Sequence, residues 1–332
     1  MILSSRIEVL SELGKYMLSD NPSWQEAKVK AGHENGWFIP EFVDLATKNI
    51  AASFLRKDVL EKWAAAYQIP VENSHPKTIG IIMAGNIPLV GFHDLLCVFI
   101  TGNKAMVKPS SKDDTLMRHL VDKMGKWDEE VRTLISFSEM LKNCDAYIAT
   151  GSNNSAGYFE YYFKKHPHII RRNRTSVAVL TGNETKEDLV KLADDVYLYF
   201  GLGCRNVTKI YVPKEYDFIP LLSAFEKYNY LADNHKYKNN YDYNLAIHIL
   251  NKKLYMGNPS ILLVEESSPF SPVSQLHYEF YDDGEKLAAD LKQNDSIQCI
   301  TGKGFLPFGE AQYPCIDEYA DGVDTLKFLI GL

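Results

Sequence analysis

Between Thr78 and Thr150 the chain alternates between two hydrophobic periods, and this alternation restricts the fold more than any other feature. TIGIIMAG (78–85) is a short apolar run of the kind buried on both faces of a sheet. From about Leu89 to Thr101 the pattern turns helical, and Gly102 stops it. KAMVK (104–108) reads as a second strand. A helix from about Asp113, a polar connection near Lys126 to Asp128, a further helix and the strand DAYIAT (145–150) follow. Such a series predicts parallel strands covered by helices on both faces. A second series opens with TSVAVL (175–180), continues with a helix that carries Glu184, Glu187 and Asp188 at its start and runs to about Phe200, and ends in NVTKIYVP (206–213). Upstream, Phe42, Leu45, Ile50, Phe54, Leu60 and Trp63 recur at roughly helical spacing up to Pro70, so the N-terminal part is expected to be mostly helical. The polar, tyrosine-rich stretch at 228–244 is expected to be a long surface excursion.

Composition narrows the function classes. With 332 residues, 45% of them hydrophobic, the chain can build two ordinary domain cores. A net charge of -7 provides no basic field for nucleic acid or an anionic membrane, so neither partner is expected. Cys97, Cys144, Cys204, Cys299 and Cys315 are odd in number and contain no CxxC pair, which argues against a disulfide framework and against zinc. His93, His119, His235 and His248 lack metal-ligand spacing, and no metal is expected. The first twenty residues carry charges throughout without a signal-type apolar core, and the most apolar stretch, 79–101, is interrupted by Asn86, Pro88, His93 and Asp94. The expected location is the cytoplasm.

Four segments carry candidate chemistry. In YFGLGCRNVTKIYVP (199–213), Cys204 sits at a break between helix and strand, flanked by Gly201 and Gly203, which permit close backbone approach to a ligand. A nucleophile and a buried loop cysteine both fit that placement. In MAGNIPLVGFHD (83–94), Asn86 falls where a strand ends, as a helix N-cap or as a donor to developing negative charge. TGNKAMVKPSS (101–111) puts Lys108 at a strand end, where it suits a ribose or phosphate or simply faces water. In ATGSNNSAGYF (149–159), Gly151 and Ser152 open a helix and could form a small anion-binding turn.

Taken in order, these segments resemble the aldehyde dehydrogenase superfamily: N-x-P-L, then G-N-x-x-x-x-K-P-S, then T-G-S, then G-x-x-C before a strand, over roughly Ile79 to Pro213. Within it the chain looks most like the Lux-type acyl-CoA reductases. The resemblance implies two Rossmann-like parallel-sheet α/β domains with the active site between them. It implies a helical segment at 1–75 packing on the cofactor domain, a nucleotide-binding domain at 76–174, a catalytic domain at 175–310 and a tail at 311–332 returning to the cofactor domain. Cys204 matches the nucleophile and Asn86 the oxyanion donor. Lys108 and Ser110 match contacts to the adenosine ribose, Ser152 lies near the pyrophosphate after Gly151, and Glu266 loosely echoes a nicotinamide-ribose contact.

Two departures from the family pattern refine the expectation. Hydrolytic relatives carry a water-activating glutamate where this chain reads IIRRNRTSV, and NAD-selective relatives carry a glutamate where this chain has Ser111. The first removes the deacylating base; the second leaves room for a 2′-phosphate. Arg171 and Arg172, in the basic run 164–174, become candidates for coenzyme A phosphates, with a solvated face as the plain alternative. The expected function is NADPH-dependent reduction of acyl-CoA or another acyl thioester to aldehyde through a Cys204 acyl-enzyme. An acyl-transferring partner protein and oligomerisation are compatible with it. The alternatives are another aldehyde- or acyl-phosphate-utilising dehydrogenase of the superfamily, or a non-catalytic nucleotide-binding relative.

Overall fold

The computed structural model describes all 332 residues, in two compact units: residues 1–173 with 315–332, and residues 174–314.

In the first unit, four helices come first: α1 (Leu3–Met17), α2 (Pro22–Glu34), α3 (Pro40–Ser53) and α4 (Lys57–Ala66). Their starts follow from local chemistry, since Pro22 and Pro40 open helices where a missing N–H costs nothing, and the Asn21 side chain accepts from the Ser23 N–H. Leu10, Leu13, Trp24, Phe38 and Leu60 are all essentially inaccessible and bury the apolar stripes of these helices in one core with the sheet. Then come β1 (Thr78–Ile82), α5 (Phe92–Ile100), β2 (Lys104–Lys108), α6 (Thr115–Trp127), α7 (Val131–Leu134), β3 (Ile135–Phe137), β4 (Ala146–Thr150), α8 (Asn153–Phe163) and β5 (His168–Arg171). The sheet is parallel throughout, in the order β3-β2-β1-β4-β5. Strand order therefore reverses between β1 and β4, and in open parallel sheets ligands bind outside the carboxyl ends of strands at such a reversal.

The second unit holds β6 (Thr175–Val179), α9 (Lys186–Tyr197), β7 (Val207–Pro213), α10 (Ile219–Phe225), α11 (His235–Leu250), β8 (Met256–Gly257), β9 (Leu262–Glu265), β10 (Gln275–Tyr281), α12 (Gly284–Lys292) and β11 (Ile297–Gly302). Its order is β11-β6-β7-β10-β9-β8, parallel except for β8 at the edge. The stretch at 228–244 is not a surface excursion. It forms a 3-10 helix (Glu226–Asp233) and most of α11, because Asn234 caps α11 by accepting from Lys236 and Tyr237 N–H while Tyr237, Asn244 and His248 turn inward.

The chain then returns to the first unit and ends in α13 (Thr325–Ile330). His93 Nε2 lies 2.7 Å from the Ile316 carbonyl, Trp63 donates to the Tyr319 hydroxyl at 3.1 Å, and Tyr67 donates to Asp324 at 2.8 Å. The return starts at Cys315 rather than at 311. The reason is Asp195 on α9, whose buried carboxylate accepts the N–H groups of Gly309 and Ala311 at 2.8 and 3.0 Å and keeps that stretch with the second unit.

Candidate active site

In the first unit, register brings three of the singled-out segments to one edge. Ile82 at the end of β1 is level with Lys108 on one side and Ala149 on the other, so the chain leaves all three strands side by side. Asn86 lies exposed in the connection after β1. It is not a helix cap: α5 begins at Phe92 and its N-cap is Gly91. The connection is held from below. Leu89 adopts φ 57°, a conformation that costs a bulky residue about 1–2 kcal/mol, and its N–H donates to Asp113 at 2.6 Å. Asp113 is buried, its other oxygen has no hydrogen-bond partner, and burial pushes its carboxyl up to about 8. A Cβ on Gly85 would sit 2.6 Å from the Ser110 hydroxyl, so glycine is what lets the two connections touch. Lys108 and Ser110 are partly buried, and Ser111 is exposed.

Ser152 caps α8, accepting from the Ser155 N–H at 3.3 Å. The T-G-S segment thus leads directly into a helix start. A Cβ on Gly151 would meet Ser155 and Phe159 at 2.9 Å. The two arginines separate. Arg172 is exposed and pairs with Glu160. Arg171 is 3% exposed, and its guanidinium forks onto Asp94 of α5 and also donates to Thr325 and to the Ala320 carbonyl. As a coenzyme A ligand Arg171 is corrected: its donors are spent inside the unit, and IIR is the last strand of the sheet rather than a solvated basic face.

Cys204 lies in the second unit, in the connection from α9 to β7, partly buried and in no disulfide. The break that carries it is sharper than its glycines suggest. Tyr199, Phe200 and Gly201 are consecutively left-handed, at φ 55°, 58° and 73°, a run normally confined to single residues. Gly203 is not in that region; the aromatic pair is. Burial of Tyr199 and Phe200, at 5% and 1% exposed, holds them there. Glu266 follows β9 and is engaged by Lys253 at 2.7 Å, which with the Ser267 N–H brings its carboxyl down to about 2.

The sequence reading had no role for Asn206, Ser176 or Asp113. Asn206 and Ser176 surround Cys204, fully buried; Asp113 lies under the Asn86 connection. Their signal was available only as polar residues in otherwise apolar or turn segments.

Comparison with known proteins agrees with this architecture. A family model described as acyl-CoA reductase (LuxC) matches residues 47–220. No curated protein matches the sequence significantly. Among solved structures, aldehyde dehydrogenase 21 from Physcomitrella patens, in complex with the reaction product succinate, superposes with a TM-score of 0.69 at 11% identity, covering 100% of this chain and 84% of that one. An aldehyde dehydrogenase from Mycobacterium tuberculosis complexed with NAD+ gives 0.63 at 13% identity, covering 87% and 70%. An indole-3-acetaldehyde dehydrogenase from P. syringae, in complex with NAD+ and IAA, gives 0.65 at 11% identity, covering 87% and 69%. At such identities these likenesses establish the fold, which is that of the aldehyde dehydrogenases. The family match spans more than half of the chain and both Asn86 and Cys204, and with it the chain belongs to the LuxC acyl-CoA reductase family.

Proposed function

We propose that the protein reduces acyl thioesters, acyl-CoA above all, to aldehydes with NADPH through an acyl-enzyme on Cys204. The observation that carries the reading is the cysteine's setting: a partly exposed thiol three residues after a run of three left-handed residues, in a chain of an acyl-CoA reductase family. The Cys204 thiolate attacks the thioester carbonyl, the Asn86 amide and the Cys204 N–H hold the oxyanion, and the thiol of coenzyme A leaves. Asn86 is exposed and is not the N-cap of α5, which leaves the oxyanion-donor role as the reading of its motif position.

The carboxyl edge of the first sheet fits a dinucleotide. It has the strand-order reversal, a lysine at a strand end, a helix start at Ser152 for phosphate and a glycine at 151 with no room for a side chain. Lys108 and Ser110 would hold the adenosine ribose, and Gly151 and Ser152 the pyrophosphate. NADPH supplies, when bound, the hydride that takes the acyl group to the aldehyde level. The neutral, exposed Ser111 favours a 2′-phosphate over a bare ribose.

Arginines at 171, 172 and 174 stand where hydrolytic relatives carry their base, and arginine stays protonated. Water then attacks the acyl-enzyme slowly, since a positioned base contributes about 100- to 10,000-fold. Mass spectrometry of the protein mixed with an acyl-CoA, without NADPH, tests the reading. An acyl adduct on Cys204 is expected, clearing to aldehyde when NADPH is added, and no adduct or turnover in Cys204→Ala. Rapid release of free acid in buffer would indicate a hydrolytic dehydrogenase instead.

A further inference from the structure

Asn206 follows Cys204 by two positions, is wholly inaccessible, and spends its entire side chain on the connection that carries the cysteine. Its Oδ1 accepts the Gly203 N–H at 2.8 Å. Its amide NH2 reaches three carbonyls at the end of α9: Leu198 at 2.8 Å, Asp195 at 3.1 Å and Val196 at 3.4 Å. Helix ends leave carbonyls without intrahelical partners, and here a single downstream side chain gathers them and ties them to Gly203.

The backbone completes the hold. The Asn206 N–H donates to the Gly203 carbonyl at 3.1 Å. A trans peptide is planar, so pinning that carbonyl also sets the Cys204 N–H, which points the opposite way. On the far side, the Ser176 hydroxyl donates to the Cys204 carbonyl at 3.1 Å and accepts the Cys299 N–H at 3.2 Å. Ser176 itself sits between register shifts on both neighbouring strands, one between Ile297 and Ile300 of β11 and one against β7. Bulges of this kind re-aim side chains near functional sites. Both peptides that flank the Cys204 Cα are therefore fixed, one through Asn206 and one through Ser176.

We infer that Asn206 is a positioning residue for the acyl-transfer step, holding the Cys204 thiol and N–H in the geometry of attack. Ser176 assists from the other peptide. The inference rests on the reading of Cys204 as nucleophile. It needs both halves of the amide, because an acceptor alone would hold Gly203 but set an oxygen against three carbonyls. Neither side chain touches the substrate; each acts through the cysteine backbone.

Asn206→Asp tests this most directly, since it keeps size and the Gly203 acceptor and loses the donors. With NADPH and a panel of saturated acyl-CoAs from acetyl to palmitoyl, kcat is expected to fall about 100-fold, the scale of a misplacement of about 1 Å, with KM for both substrates unchanged and with the fraction folded checked by circular dichroism. Acylation of Cys204 in a single turnover should slow in proportion. Wild-type kcat in folded Asn206→Asp would overturn the inference. If Asn206→Asp does not fold, Ser176→Ala decides, because it removes one hydroxyl: kcat should drop about 10-fold, the scale of one hydrogen bond, at constant KM. An unchanged kcat there overturns the inference equally. Cys204→Ala separates the two levels: if it still turns over, the nucleophile reading itself has failed, whereas a dead Cys204→Ala beside a fully active Asn206→Asp leaves that reading standing and removes only the positioning role.

Discussion

The connection that carries Asn86 and the one that carries Cys204 are built by opposite means. Asn86 follows the carboxyl edge of its sheet, is exposed, and lies on a connection whose Leu89 N–H donates to buried Asp113. Cys204 lies before a strand, at the amino edge of its sheet, just after the left-handed run 199–201 and on a turn closed by a fully buried asparagine. On the proposed roles, the oxyanion donor stands on an exposed connection, while the nucleophile is fixed through both of its flanking peptides. Effects of mutation should divide accordingly between activity and stability.

The sharpest test of the exposed connection is Asn86→Ala. Loss of an oxyanion donor lowers kcat about 100- to 1,000-fold, and since Asn86 caps no helix any loss of stability should stay below that of a helix cap, about 1 kcal/mol. A drop in melting temperature with kcat preserved would erase the contrast. Arg171→Met lies on the structural side. It strips the partner from buried Asp94 and should cost about 3–5 kcal/mol in denaturant unfolding, whereas Arg172→Ala, an exposed pair, should cost about 1 kcal/mol or less. Equal losses would mean that Arg171 is not the interior tie described above.

Ser111→Glu probes the exposed edge. A carboxylate about 4 Å from a phosphate charge is repelled by about 1–4 kcal/mol, depending on whether the pair is screened as in water or as near a protein surface. NADPH affinity should thus fall about 5- to 700-fold relative to NADH, measured by fluorescence titration; parallel changes in both would move Ser111 away from the ribose.

A last expected effect is a slope with pH. Asp113 holds its proton up to about 8 when folded and sheds it near the ordinary carboxylate value when unfolded. The unfolded chain then binds fewer protons between about pH 4 and 8, so this group's stabilising contribution is complete below that window and is lost as pH rises through it, at about 1.4 kcal/mol per pH unit. Thermal melts of Asp113→Asn should lack that component of the slope. Matching pH profiles for the variant and the parent would return Asp113 to an ordinary carboxylate.

Much of the architecture was legible in the sequence because β1, β2, β4, β6 and β7 are apolar runs bounded by breakers. β3 is only three residues long, and β5 is HIIR, whose histidine and arginine read as part of a charged run. No local pattern says that Arg171 faces inward, since its partners Asp94 and Thr325 are remote in sequence. The helical nature of 228–244 was hidden for a related reason: Tyr237 is buried, but most of α11 is polar and shows no clear stripe. Cys204 stood out through its neighbours, and Asn86 through its motif. Asn206 did not, because an asparagine beside a turn is ordinary until the end of α9 is folded over it.

The return of the last residues to the first unit has a consequence for how the protein is made. Trp63 and Tyr67 find their partners Tyr319 and Asp324 only across separations of 256 and 257 positions. A ribosome delivers the chain at about 5–20 residues per second, so the nascent first unit waits some ten seconds or more with the seat of α13 uncovered, while the entire second unit is threaded out and folds. The first unit to emerge is thus the last to be completed, and a release that stops short of Asp324 leaves Tyr67 without Asp324 and Arg171 without Thr325, although every residue of its sheet has been made.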